Sequence, residues 1–270
     1  MTLSKNYYFK VSINLTLGIF IACLIVFFLQ YYLYDFTLEP TLRFLDKNTK
    51  LFFLQSFSVF VLYSWLYFIL DSGILSGVLI FALACLIGEA TSQKLLLRGE
   101  PLYPSDIYFL KDISFLIDMV DIKTLLSIIA GVVFIFIICI MYFIKRKKYK
   151  RTTFQKVLRL GGAVVSSLLL LNIYNFNQPG NKIKALFNDY TNWISYSQDQ
   201  NYRVNGVVSG ILYNLKSPAL NKPDTYSKKE IERIYSKYLK EAERINEQSV
   251  CGKINLHTIA AQKYITPQAA

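Results

Sequence analysis

The chain has one histidine, His257, and only 18% of its 270 residues are charged. A hydrolytic metal site needs three or more converging ligands. A single histidine, with no acidic residue after Glu247, builds no such site in the C-terminal stretch. Thr258 and Thr266 are the nucleophile types available there, and no base accompanies them. Cysteine is equally sparse. Cys23, Cys85 and Cys139 lie in apolar runs and Cys251 stands alone, so no pair has metal-ligand spacing.

What is abundant is apolar length: 53% of residues are hydrophobic and 16% aromatic. A bilayer core of about 30 Å needs roughly 20 apolar residues per helix. Five runs approach that length: Val11–Tyr34, Leu51–Leu70, Ile74–Ala90, Thr124–Ile144 and Val157–Tyr174. The third is short and carries Glu89 at its end. The fifth is diluted by Gly161, Gly162, Ser166 and Ser167, small residues that suit close helix packing. The first is too long for a signal-peptide core and no small-residue cleavage site follows it, so it reads as an uncleaved span.

The net charge of +12 is distributed by side. Lys5 and Lys10 precede the first run. Lys145, Arg146, Lys147, Lys148, Lys150, Arg151 and Lys156 cluster between the fourth and fifth, with Arg159 just beyond, and no acid opposes them. The segment between Glu89 and Lys123 is acidic in balance. Short loops rich in Lys and Arg stay cytoplasmic. That places the N-terminus and the basic loop inside, and the long third loop and C-terminal tail outside. The basic loop fits a topology determinant or a site for anionic headgroups. No aromatic-interleaved basic groove accompanies it, which argues against a nucleic-acid partner.

Two extramembrane segments carry pattern. In the third loop, Pro101 and Pro104 break any helix, and Ser105 or Asp106 is placed to cap a new one. Ile107, Leu110, Ile113, Leu116, Ile117 and Val120 then share a stripe. This predicts a helix lying in the outer interface or a loop helix packed on the bundle. In the tail, Ser227-Lys228-Lys229-Glu230 matches a capping box, with Tyr226 and Ile231 at the staple positions. Ile231, Ile234, Tyr235, Tyr238, Ala242 and Ile245 make an amphipathic helix over 227–247.

These outer segments resemble the membrane half of the lipoteichoic acid synthase family. The match rests on Arg98-Gly99-Glu100-Pro101-Leu102-Tyr103-Pro104-Ser105-Asp106 followed by Phe109-Leu110-Lys111. It also rests on Asn201-Tyr202 with Asn205-Gly206, and on Pro223 and Tyr226-Ser227 before a helix. The resemblance covers roughly residues 10 to 247 and implies a phosphoglycerol transferase architecture. A sulfatase-like domain with a threonine nucleophile and a divalent metal such as Mn would stand outside the membrane. The 248–270 segment does not resemble that domain, so the resemblance implies that the nucleophile, the metal ligands and the metal belong to a missing domain. No cofactor is expected in this chain.

The expected fold class is an all-α membrane protein: five transmembrane helices, an outer interfacial helix and a mostly helical extracytoplasmic tail. The expected division is a membrane domain over 1–175, a linker with its helix over 176–247, and an unstructured or aberrant tail over 248–270. Three functions compete: the anchor of a phosphoglycerol transferase whose catalytic half is lost, a non-catalytic scaffold or regulator of a full-length paralogue, and a lipid-binding membrane protein. The expected partners are phosphatidylglycerol-type lipids and a catalytic domain or paralogue. Arg98, Glu100 and Asp106 are candidates to hold a lipid phosphate or dock that domain, or else form a loop fixed by its own hydrogen bonds. Trp193, Asn201 and Tyr202 are candidates for headgroup contact or for packing of the tail onto the bundle.

Overall fold

The computed structural model describes residues 2–112, 122–145, 152–216 and 227–248. Outside them lie most of the basic loop, the second half of the expected interfacial helix, and Pro223 and Tyr226. The 249–270 segment, with Cys251, His257, Thr258 and Thr266, lies outside them as well. Among the described residues there is no strand.

In chain order the helices are α1 (Thr2–Leu33), α2 (Leu38–Lys47), α3 (Thr49–Leu70), α4 (Gly73–Arg98), a 3-10 helix (Pro104–Asp112), α5 (Ile122–Lys145), α6 (Thr153–Tyr174), α7 (Lys182–Asn188), α8 (Gln198–Asn205), α9 (Val207–Tyr213) and α10 (Lys228–Gln248). Among the described residues, four helices are long and apolar enough to cross a membrane: α1 over Tyr7–Leu33, α3, α4 and α6. Helix α5 covers the run expected as the fourth span. The 104–112 segment winds as a 3-10 helix rather than the expected α-helix. There the Asp106 carboxylate turns back to accept the Tyr103 N–H at 2.7 Å. Such a reach backward tightens a turn without needing a following α-helix.

Helices α1, α3 and α4 pack on one another, α6 packs on α3, and α5 on α4. Polar residues inside these helices are absorbed locally. Ser56 and Ser58 of α3 donate to the carbonyls of Phe52 and Leu54 one turn back, so neither breaks the helix. Helix α4 runs past the expected end of its span, so Glu89 lies within the helix. Tyr32 of α1 donates its hydroxyl to one Glu89 oxygen, and Gln93 Nε2 donates to the other at 2.9 Å.

The small residues of α6 are used at its contact with α3. A Cβ on Gly162 would lie 2.4 Å from the Phe68 ring. Ser167 accepts the Trp65 indole N–H at 3.0 Å. Arg159 donates its guanidinium to the carbonyls of Phe68 and Ile69 in the last turn of α3. Those end carbonyls have no intrahelical partner, and a cation there complements the helix dipole.

The chain divides into two compact units, Met1–Ser217 and Pro218–Ala270. Residues 175–216 pack on the ends of α1, α3 and α6 and form a cap. The second unit contains α10, whose N-terminal turn is capped by Ser227 Oγ accepting the Glu230 N–H at 3.2 Å. The Glu230 carboxylate pairs with Arg233. The stripe of Ile231, Ile234, Tyr235, Tyr238 and Ile245 is exposed.

Candidate functional site

The cap is built from short helices that cannot hold themselves together, since isolated helices of this length are marginal. Polar side chains do the work. Helix α8 starts at Ser197, whose hydroxyl accepts the Gln200 N–H. One face of α8 presents Asn201 and Asn205, one turn apart and both buried. Asn201 accepts the Ile194 N–H and donates to the Ile194 carbonyl, both at 2.7 Å. Asn205 does the same to Asn192, at 2.9 and 2.8 Å. Each amide thus mimics a neighbouring strand, and together they clamp the non-helical 191–196 segment to α8.

The cap is then bonded to the bundle. Gln30 Nε2 and the Tyr34 hydroxyl both donate to the Arg203 carbonyl, at 3.2 and 2.9 Å. Asn48 Nδ2 donates to the Val204 carbonyl at 3.2 Å. Gln55, fully buried in α3, donates to the Asn205 carbonyl at 3.2 Å and accepts the Ser209 N–H. These carbonyls close the last turn of α8, where intrahelical partners run out. Gly206 makes the approach possible. Its φ is +88, and a Cβ there would sit 2.5 Å from Gln55 Oε1. On the far side, Asn177 Nδ2 donates to the carbonyls of Leu212, Tyr213 and Leu215, at 3.1, 2.9 and 2.7 Å, and so terminates α9.

The candidate residues named from sequence separate into two neighbouring groups. Tyr202 is fully buried and donates its hydroxyl to the Leu102 carbonyl at 2.6 Å. That bond joins the cap to the loop after α4. Near the end of α4, Lys94 reaches that loop, its Nζ lying 2.7 Å from Asp106, 3.9 Å from Glu100 and 4.0 Å from the centre of the Tyr103 ring. Lys94 and Asp106 side chains are each only 13% exposed. Lys94 was not singled out from sequence. The signal for it is the unbalanced acid of the loop, which needs a base on the same side. Arg98 and Glu100 are exposed at the surface. Trp193 is half-buried and stacks on Tyr213 with ring centres 4.7 Å apart.

The phenols here are held neutral. Burial, with Glu100 and Asp106 nearby, pushes Tyr103 up to about 12. Burial likewise raises Tyr34, Tyr202 and Tyr213 above the ordinary phenol value. A neutral phenol keeps its proton to donate, as Tyr34 and Tyr202 do.

Between the ends of α1, α4 and α8 lies a cavity of about 220 Å³. Tyr32, Asp35, Ser92, Leu96, Asp199 and Arg203 contribute to its wall. Among the described residues, no group of three or more His, Cys, Asp and Glu side chains is placed to hold a metal ion.

No protein-family model matches the chain, and neither a curated protein nor a solved structure does.

Proposed function

We propose that this chain is the membrane-anchoring module of a phosphoglycerol transferase of the lipoteichoic acid synthase type. In this reading five helices cross the membrane: α1, α3, α4, α5 and α6. The basic residues around Lys145–Arg159 hold their side in the cytoplasm. The cap and α10 then stand outside. Arg98 and Glu100, exposed beside the Lys94–Asp106 pair, form the docking edge for a sulfatase-like domain. The nucleophile, the divalent metal and the cleavage of a phosphatidylglycerol-type headgroup belong to that domain.

One observation carries the reading. Two of the segments on which the resemblance rests, 98–106 and 201–206, are distant in sequence and meet in the fold through the Tyr202–Leu102 hydrogen bond. The resemblance thus falls on residues that pack against one another.

A chimera tests it. The membrane half of a full-length enzyme of that family is replaced by residues 1–248 of this chain. The chimera is expected to make polymer from phosphatidylglycerol. A chimera that inserts correctly and stays inactive, while the parent enzyme works, would sink the reading.

The exposed stripe of α10 favours a second reading, a non-catalytic scaffold for a full-length paralogue. A lone amphipathic helix must bury such a stripe against something. Under this reading the tagged full chain co-purifies with the paralogue, and Ile234→Asp abolishes the association. Unchanged recovery with Ile234→Asp rules the stripe out.

A further inference from the structure

The turn that follows α6 gathers two ammonium groups. Lys184 Nζ donates to Asn177 Oδ1 at 2.9 Å and lies 5.6 Å from the centre of the Tyr213 ring. Lys216 Nζ donates to Asn175 Oδ1 at 2.8 Å and lies 3.6 Å from the centre of the Tyr174 ring. Phe176, between the two asparagines, is fully buried and pins the turn. Asn177 Nδ2 also donates to the Leu215 carbonyl at 2.7 Å, which brings Lys216 beside the same turn. Both lysines are led to one place although α8 and α9 lie between them in the chain.

No acid matches this charge among the described residues. The cap over 175–216 contains two carboxylates, Asp189 and Asp199. Asp199 is taken by Arg203, and Asp189 forms no ion pair with either lysine. A neutral amide and a ring face orient an ammonium but leave its charge in place. Each ammonium has three donors, and the asparagine takes one. The remainder point to an anion with several acceptor oxygens, the chemistry of a phosphate. Lys216 also holds a left-handed backbone, with φ 51. A non-glycine residue keeps such a conformation only where its surroundings over-determine it, and ligand sites are common places for it.

The position says which phosphate. Tyr174 is the last residue of α6, a helix long and apolar enough to cross a membrane. Leu168, Leu171 and Tyr174 are exposed along its final turns. Tyr213, beside Lys184, stacks on Trp193. Tyrosine and tryptophan at the end of a span sit at headgroup level. The two ammonium groups thus stand where lipid phosphates lie, with apolar helix surface next to them for acyl chains.

We propose that Lys184 and Lys216 bind the phosphodiester of an anionic membrane lipid, its acyl chains running along Leu168 and Leu171. A zwitterionic lipid brings its own cation and gains less from the pair. The site rests on α6 crossing the membrane and needs no transferase activity. It uses none of the residues of the docking edge at Arg98 and Glu100.

The test places the full chain in micelles with equal amounts of phosphatidylglycerol and phosphatidylcholine and reads retained lipid by native mass spectrometry. A lysine at the membrane surface favours an anionic lipid about fivefold, so the wild type should retain the glycerol lipid about twentyfold over the choline lipid. Lys216→Gly suits the left-handed backbone, removes one ammonium and should lower the ratio to about fivefold. Lys184→Gln keeps a donor for Asn177 and should lower it equally. The double variant should abolish the preference. Lys182→Gln removes the same charge from an exposed position on the same helix as Lys184 and should leave the wild-type ratio unchanged. Equal retention by the wild type overturns the proposal, as does a ratio that the double variant leaves unmoved. An equal fall with Lys182→Gln would mean diffuse charge rather than a site and overturns it too. Displacement of the lipid by glycerol 3-phosphate at equal concentration would assign the site to a free phosphate and overturn the lipid occupant. A failed chimera in the functional test leaves this measurement untouched, because lipid retention requires no transfer.

Discussion

Tyr202 donates its hydroxyl to the backbone carbonyl of Leu102, a residue 100 positions earlier in the chain. The bond ties the cap to the loop after α4, with Tyr202 buried and Leu102 half-buried. Tyr202→Phe keeps the ring and strands the carbonyl. The expected loss is about 1–3 kcal/mol of stability, measured as denaturant unfolding in detergent micelles. An unchanged midpoint would mean the carbonyl finds another partner.

Asn201 and Asn205 clamp the 191–196 segment through paired bonds to Ile194 and Asn192. Asn201→Ala removes both bonds to Ile194. Limited proteolysis should then cut within 191–196 at protease concentrations that leave the wild type intact. Asn201→Asp should behave at least as badly, because it keeps the acceptor, loses the donor and buries a charge.

Gly206 combines a positive φ with a close approach to Gln55. Gly206→Ala meets both obstacles and should cost more than about 1 kcal/mol. Gln55→Ala in the same background removes only the clash. A double-mutant cycle should therefore show partial rescue, with the backbone strain remaining. Full rescue would show that sterics alone explain the glycine.

Lys94 and Asp106 form a nearly buried pair. Lys94→Met leaves the carboxylate without its cation and should destabilise by about 2–3 kcal/mol, a little below the range for fully buried pairs. Replacing both, with Lys94→Met and Asp106→Leu, should recover most of that loss. Equal destabilisation by single and double variants would contradict the pairing.

Alkaline titration follows from Tyr103. Its proton is held in the folded state up to about 12, whereas the unfolded phenol releases it near 10. Between those values the unfolded state binds fewer protons. Stability is thus full below about 10 and falls as pH rises towards 12. Tyr103→Phe should make the unfolding midpoint less sensitive to pH over that window.

Much of the architecture is legible without a structure. The runs at 11–34, 51–70, 74–90 and 157–174 coincide with the four apolar helices, because a span is specified by local composition and length alone. Ser227-x-x-Glu230 marks the start of α10 for the same reason: a cap involves residues within one turn. The 3-10 form of 104–112 was less accessible. Its stripe fits an α-helix, but the Asp106 carboxylate is drawn back to Tyr103 N–H and Lys94.

Arg159 shows the limit clearly. In the sequence it is a charge near the start of an apolar run. In the fold it completes the last carbonyls of a different helix, α3. Gln55 is similar: an isolated amide in a span that anchors the α8–α9 junction.

The sequence by itself determined which stretches are apolar helices and where α10 begins, since hydrophobic period and capping act over a few residues. Only the tertiary structure decided what the isolated polar residues do. Asn201, Tyr202, Gln55 and Lys94 find partners chosen by chain packing, and no local pattern encodes a partner that lies far away along the chain.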